Sequence, residues 1–363
     1  MAADRALDVG EATKKLQDFF REKPLVVFGT GMSCSLDERY GMAALRDALS
    51  SEVPGRITSA TQRAQWAEVQ DELDRSRNLE VALDSVTDQD LLEIVTRATG
   101  QFIASLDAEH TNRVAGGDCE WPPIRLFERL VASLPEGDRK LHVLTPNYDL
   151  LLEHACDRAG IPYTNGFAGG IARQLDWRSA GYGLLVPGRT AIGRRLKVLY
   201  KMRKHIRLYK VHGSLNYFFH SGCVVENNSW IWKPPQYASR VLITPGLSKY
   251  QTLQRYRQEL LQSADQAING SSRFLFLGYG FGDSHLEEYI NRKLVNQGCH
   301  GLVITRTPGP RVEDLLKAAA NLWLVCKAGD ATRIANRGYE NELLLSDCSL
   351  WDVREFTSRI LGG

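Results

Sequence analysis

The chain has 363 residues, is 43% hydrophobic and 24% charged, and carries a formal net charge of +2. It is long enough to bury a large core, as one elaborated domain or two closely joined ones, with the composition of a soluble globular protein. The near-neutral charge selects no polyanionic partner for the chain as a whole, and no run approaches a membrane span, so no membrane role is expected.

Residues 5–22 repeat apolar positions with helical period, and Lys23-Pro24 ends that helix before Leu25-Val26-Val27-Phe28, a compact buried strand. Gly29-Thr30-Gly31 turns the strand into a helix predicted over about Ser35–Leu49. From about 57 to 135 the pattern is helical without a strand, at Gln65–Leu73, Leu79–Val86, Asp88–Leu106 and Pro122–Ser133. This predicts a mainly helical insertion over 41–135. Strands resume at Leu141–Leu144, and Leu150–Ala159 is a helix stopped by Gly160. Residues 162–205 are glycine-rich and then basic, and read as a second, irregular insertion. Ile206–Val211 and Val241–Thr244 are predicted strands, and Lys249–Asn269 a long helix running into Gly270. Phe274–Leu277 is the next strand, followed by helix Ser284–Val295. Leu302–Thr305 and Leu322–Cys326 add two strands, and Leu350–Leu361 a closing helix. Strands alternating with helices predict an α/β fold, a Rossmann-like doubly wound parallel sheet built from 1–40 and 136–363.

Met1–Arg5 start no apolar core of the signal-peptide type, which sets a cytoplasmic location as the expectation. The seven cysteines (Cys34, Cys119, Cys156, Cys223, Cys299, Cys326 and Cys348) are scattered and never spaced Cys-x-x-Cys. Neither a disulfide framework nor a four-thiolate zinc module fits, so reduced and mostly buried side chains are expected, with no metal.

Four motifs, each ending an apolar run, recur in a fixed order: Phe28-Gly29-Thr30-Gly31-Met32-Ser33, Thr145-Pro146-Asn147-Tyr148-Asp149, Val211-His212-Gly213-Ser214, and Leu277-Gly278-Tyr279-Gly280-Phe281-Gly282-Asp283. In an open parallel sheet the carboxyl ends of strands form the ligand crevice, so these four converge there. In the first loop Gly29 permits the tight turn, and Gly31 allows close approach of a phosphate to backbone N–H groups at a helix N-terminus. Cys34 stands where the dehydrogenase fingerprint has its third glycine, and no acidic residue ends a second strand about 20 residues on. Asp47 and Glu52 fall in or just after a helical pattern, so hydride transfer is not indicated. Asn147 could simply cap the next helix, and Asp149 could be a first-turn carboxylate. A lone histidine is structural more often than catalytic, but His212 sits at a strand end with Gly213 leaving room beside it. The three glycines of Gly278–Gly282 suggest close approach to a ligand. Asp283 or Ser284 caps the following helix, which carries His285.

Together the four motifs resemble the sirtuin-like family, whose members bind NAD in an inverted Rossmann cleft. The resemblance covers about 24–40 and 136–310. Gly29–Ser33 is similar to that family's Gly-Ala-Gly-x-Ser, and Thr145–Asp149 with Leu150–Cys156 to its Thr-Gln-Asn-x-Asp-x-Leu block. His212-Gly213 is similar to the catalytic His-Gly pair, and Gly278–Gly282 to the loop holding the adenosine half. Sirtuin deacylases carry a paired Cys-x-x-Cys zinc module and a Gly-Ile-Pro-Asp-Phe-Arg block. This chain lacks the first and has Ser35-Leu36-Asp37-Glu38-Arg39-Tyr40-Gly41 in place of the second. The resemblance is therefore to the bacterial anti-phage defence branch, which hydrolyses NAD+ to nicotinamide and ADP-ribose and partners a HerA-type hexameric ATPase.

That resemblance implies roles residue by residue. Asn147 and His212 are the candidate catalytic residues. Asn147 would bond ribose hydroxyls or the attacking water, and His212 would be the general base. Gly29, Thr30, Gly31, Met32 and Ser33 would cradle the pyrophosphate, and Asp149 would contact the carboxamide or offset positive charge. Gly278, Tyr279, Gly280, Phe281 and Thr305 would border the adenosine. No general acid is needed, because the pyridinium leaves as neutral nicotinamide. A zinc-free protein deacylase and a nucleotide sensor controlling a partner ATPase are the alternatives. Arg189, Arg194, Arg195, Lys197, Lys201, Arg203, Lys204, Arg207 and Lys210 form an acid-free basic stretch. It reads as a solvated face, a nucleic-acid contact or a docking site for an acidic partner. The acidic stretch Glu68–Glu93 could meet it in a homo-oligomer.

Overall fold

The computed structural model describes residues 6–76, 79–192, 195–242, 261–282 and 284–362. A nine-stranded sheet runs through its centre. In spatial order its strands are Leu343–Leu345, Ala331–Ala335, Leu322–Ala328, His300–Thr305, Arg273–Leu277, Leu25–Phe28, Lys140–Thr145, His205–Lys210 and Tyr163–Thr164. The two strands at the 331–345 edge are antiparallel, and the remaining pairs are parallel.

Residues alternate across this sheet into two separate cores, as the two-residue period of a strand requires. Val26, Phe28, Val143, Leu208, Leu275 and Ile304 face one core, with helices Val9–Phe19, Ile124–Ala132, Leu151–Ala159 and Val353–Leu361. Leu25, Val27, Leu144, Phe274, Phe276 and Val303 face the other, with helical residues 261–269, Ser284–Asn291 and Pro310–Ala318. Both faces are covered, so the doubly wound reading holds.

From the Leu25 strand the chain first builds outward through Lys140–Thr145 and His205–Lys210. It then crosses back to lay Arg273–Leu277 on the other side. The winding therefore reverses between Leu25–Phe28 and Arg273–Leu277, and ligands of open α/β sheets bind at the carboxyl ends of such a switch point.

Several element boundaries differ from the sequence expectation. The helix after the first strand is not Ser35–Leu49. It starts at Thr30, ends at Cys34, and resumes at Met42–Glu52 after a short turn at Glu38–Tyr40. Asp37 causes the break, since its carboxylate accepts the Arg39 backbone N–H at 2.9 Å. Helices Ala60–Ser76, Leu79–Asp84 and Gln89–Gly116 form the helical region, with Asp88 capping the last and Gly117 ending it at φ +86°. Leu45, Leu49, Trp66, Leu73, Leu91 and Val95 give this region its own core. The far half of the 28-residue helix packs Ile103, Leu106 and Val114 into the main one.

The irregular 162–205 segment does contain elements. Phe167–Gly169 and Arg173–Leu175 join Cys223–Glu226, Gly213–His220 and Ser239–Leu242 in a five-stranded sheet. Leu185–Ile192 and Arg195–Met202 form a separate antiparallel hairpin. The predicted strand at Val241–Thr244 is Ser239–Leu242, and residues 249–260 of the long predicted helix lie outside the described residues. The cysteines are free, but only Cys156 and Cys326 are buried; Cys223 is exposed and the others are half-buried. No helix among the described residues is long and apolar enough to cross a membrane.

Candidate active site at the sheet crest

The first and last motifs meet directly. Gly29 N–H donates to Leu277 O at 3.0 Å, and Gly31 N–H donates to Gly278 O at 3.1 Å. A Cβ on Gly31 would lie 2.7 Å from Gly278 Cα, and one on Gly29 would lie 2.6 Å from Gly278 O. These glycines are required because two backbones pack against each other. Gly278 itself sits at φ +51°.

Beyond it, Tyr279 and Phe281 are buried with Phe276, the Tyr279 and Phe281 rings 4.9 Å apart. Phe281 holds φ +53°, a strained conformation for a bulky residue, and its carbonyl accepts from Arg311 Nη1 at 2.8 Å. Gly280 follows Tyr279 in this loop, while Asp283 lies outside the described residues. Thr305 ends the neighbouring strand and is buried there, and Ile304 O accepts the Gly278 N–H at 2.9 Å.

Asn147 does not cap a helix. The next helix starts at Leu151 with no side-chain cap from its N-cap residue, Leu150. Instead Asn147 Nδ2 donates to Ser33 Oγ at 2.9 Å, and Ser33 Oγ donates to Asp149 Oδ2 at 2.8 Å. The Ser33 proton is committed to the carboxylate, so its oxygen must accept, which fixes the orientation of the Asn147 amide. Asn147 Oδ1 is then buried with no hydrogen-bond partner among the described residues. An acceptor left open in the interior costs about 1–3 kcal/mol.

Asp149 Oδ1 also accepts the Leu151 N–H at 3.2 Å. Burial pushes the Asp149 carboxyl up to about 6, against the pull of Lys210 and Ser33 and with the push of Asp107 and Glu153. Cys34, after Ser33, is pushed up to about 11 by burial and by Asp149, so it remains a thiol at neutral pH. Of the rest of the first loop, Thr30 is half-buried and Met32 buried, and Met32 O accepts from Trp121 Nε1 at 3.1 Å.

His212 follows the strand beside Asn147. Thr145 registers with Lys210, and Val211 N–H donates to Thr145 O at 3.1 Å, so Asn147 and His212 each stand two residues past paired positions. His212 is half-buried. Gly213 does not make room for a ligand: at φ +86°, its Cβ would lie 2.1 Å from Val241 O.

Sequence reasoning missed Lys210 and Glu153 beneath this crest. Lys210, treated as part of the basic stretch, is 1% exposed and donates to Glu153 Oε1 at 2.9 Å. That stretch is not one surface, since Arg207 also stacks 4.2 Å over the Trp177 ring and Lys201 pairs with Glu136. Arg194 lies outside the described residues. Asp37, Glu109 and His110 approach one another closely enough to suggest a metal. Arg39 engages both carboxylates, at 2.6 Å and 2.8 Å, which makes the group an ion-pair cluster. Two clefts, of about 480 Å³ beside Trp121 and Arg158 and about 400 Å³ beside Arg173 and Asn228, lie apart from the Asn147–Ser33–Asp149 chain.

The sequence matches the profile of the SIR2-like domain over residues 141–323, half of the chain. The chain belongs to the SIR2-like family. Among curated proteins no sequence matches it. Among solved structures, it is similar to one described under the structural basis for the mechanism and regulation of Sir2 enzymes. That match has 13% identity and a TM-score of 0.37, and covers 91% of this chain and 93% of the other. It is also similar to Sir2Tm bound to a propionylated peptide, with 14% identity, 96% and 97% coverage and a TM-score of 0.44. The SIR2-like family uses NAD. The residues that could hold the nucleotide are Asn147, Asp149, His212 and those of the two docked glycine loops.

Proposed function

We propose that this SIR2-like protein is an NAD+ glycohydrolase that releases nicotinamide and ADP-ribose, acting as an effector of bacterial anti-phage defence by depleting NAD+. The supporting observation is the Asn147 amide, oriented by Ser33 with its acceptor left open beside the switch point. A ribose hydroxyl or a water would donate to that acceptor. His212, on the adjacent strand end, takes a proton from the attacking water. Asp149, ionised at neutral pH, supplies the negative charge that favours a ribosyl cation in the making. Water replaces an acyl-lysine as the nucleophile, and the pyridine departs neutral without an acid.

The defence setting and the HerA-type ATPase partner rest on the resemblance to that branch. A homo-oligomer is part of the same reading, supported by the hairpin, where Val198, Leu199 and Tyr200 are 57%, 49% and 69% exposed. Nucleic acid would be contacted through the assembled complex.

Incubating purified protein with NAD+, alone and with the partner ATPase, and resolving the products tests the activity. Wild type should yield nicotinamide and ADP-ribose without a peptide. Asn147→Ala and His212→Ala should each fold and lose about a hundredfold or more in rate. Wild-type turnover in either variant overturns its role. Nicotinamide release only with an acylated peptide replaces hydrolysis by deacylation, and binding without turnover makes the protein a sensor.

A further inference from the structure

We propose that Lys210 is a positioning residue for this reaction, clamping the Asn147–Asp149 turn to the strand end that carries His212. The proposal rests on the glycohydrolase reading for its rate effects, though its geometry stands independently. Lys210 Nζ donates to Asp149 O, lies 3.5 Å from Tyr148 O, and donates to Glu153 Oε1 at 2.9 Å. One ammonium thus ties two successive carbonyls of the Asn147 turn to the first turn of the following helix. It does so from the last residue of strand His205–Lys210, two positions before His212. Ser214, two positions after His212, adds a hydroxyl 3.4 Å from the same Tyr148 carbonyl, and Leu215 N–H donates to it at 3.0 Å. The turn holding the amide and carboxylate is therefore fixed by groups on both sides of the histidine.

Stability alone does not account for a lysine here. A buried ion pair costs several kcal/mol of desolvation per ion, and apolar residues of similar volume are often as stable or more so. A methionine would fill the space but could not donate to the two carbonyls. A misplacement of about 1 Å far from the reacting bond costs about a hundredfold in rate, which is the scale on which such a clamp acts.

The groups facing Asp149 are Ser33, Lys210, Asp107 and Glu153, with Cys34 and Tyr40 in its electrostatic reach. Of these Lys210 is the largest influence opposing burial. Removing its charge must move the Asp149 titration upward.

The test compares wild type with Lys210→Met/Glu153→Leu, which removes both buried charges together, and with Lys210→Arg, which retains a cationic donor. The double variant should fold, bind NAD+ with KM changed by less than about threefold, and lose about a hundredfold in kcat. Lys210→Arg should recover part of kcat. The Asp149 carboxyl carbon, assigned by NMR against Asp149→Asn, should titrate at higher pH in the single variant Lys210→Met, which leaves Glu153 in place, whether or not the protein turns over NAD+. An inactive wild type counts against the glycohydrolase reading alone. A folded Lys210→Met with an unmoved Asp149 titration overturns the clamp, as does an unchanged kcat in an active double variant.

Discussion

A methyl group on Gly31 would meet the Gly278 Cα at 2.7 Å, and backbone cannot swing aside as a flexible side chain can. Gly31→Ala is therefore predicted to cost about 1–3 kcal/mol as overpacking, seen as a lower unfolding temperature before any ligand is added. An unchanged unfolding temperature would contradict that packing requirement. Asp149 offers a second residue-level test. Its ordinary pKa of 3.8 is raised to about 6 in the fold, so the folded protein holds that proton more tightly than the unfolded chain. Its stabilising contribution is complete below about pH 4 and is lost as pH rises through about 6, amounting to about 3 kcal/mol. Asp149→Asn, which cannot ionise, should be more stable than wild type at about pH 8, and the gain should fade on acidification towards pH 4. Denaturant titrations across that range measure it, and a difference that does not vary with pH contradicts the burial of an ionised carboxylate.

Among the elements, the helical region reaches the site through Asp107, which accepts the Leu150 N–H, and through Trp121. Trp121 is fully buried, stacks on Phe127 at 5.8 Å, and donates to the Met32 carbonyl in the glycine loop. Trp121→Phe keeps most of the packing and removes that donor, so a loss of about 1–2 kcal/mol is expected. Faster hydrogen exchange should appear in helix Thr30–Cys34. Unaltered exchange there would mean the tryptophan is packing alone. The main strands were legible because parallel strands covered on both faces read as continuous apolar runs, as Leu25–Phe28 and Phe274–Leu277 do. Helix Gln89–Gly116 was cut short at Leu106 because Asp107, His110 and Thr111 break the apolar period. They are buried for polar reasons: Asp107 accepts the Leu150 N–H at 3.1 Å, and His110 contacts Asp37 at 2.9 Å. Strand Gly213–His220 went unread although Leu215 and Tyr217 alternate and Ser221-Gly222, at φ +51° and +81°, is a hairpin turn signal. For the site, Asn147, Asp149 and Ser33 were named from their motifs. Lys210 was hidden in a charge run, where sequence cannot separate a solvated cation from a buried one.

At the scale of the whole molecule, reversal of the winding between Leu25–Phe28 and Arg273–Leu277 brings residues 29–33, 145–149, 211–214 and 277–282 to one crest. The hairpin Leu185–Ile192 and Arg195–Met202 is a two-stranded sheet apart from this crest, and a lone hairpin is marginal in water. A second copy of the chain is the expected cover for Val198, Leu199 and Tyr200. Native mass at low and high salt should show an oligomer for wild type and a smaller species for Tyr200→Glu. A monomer under all conditions would remove the oligomer from the account. The crest itself is put to the test by the structure of His212→Ala crystallised with NAD+. The nicotinamide ribose is predicted to lie within hydrogen-bond reach of Asn147 Oδ1, with the pyrophosphate over Gly29–Ser33. NAD+ seated in the Trp121 cleft, or anywhere that leaves Asn147 Oδ1 without a partner, would contradict it.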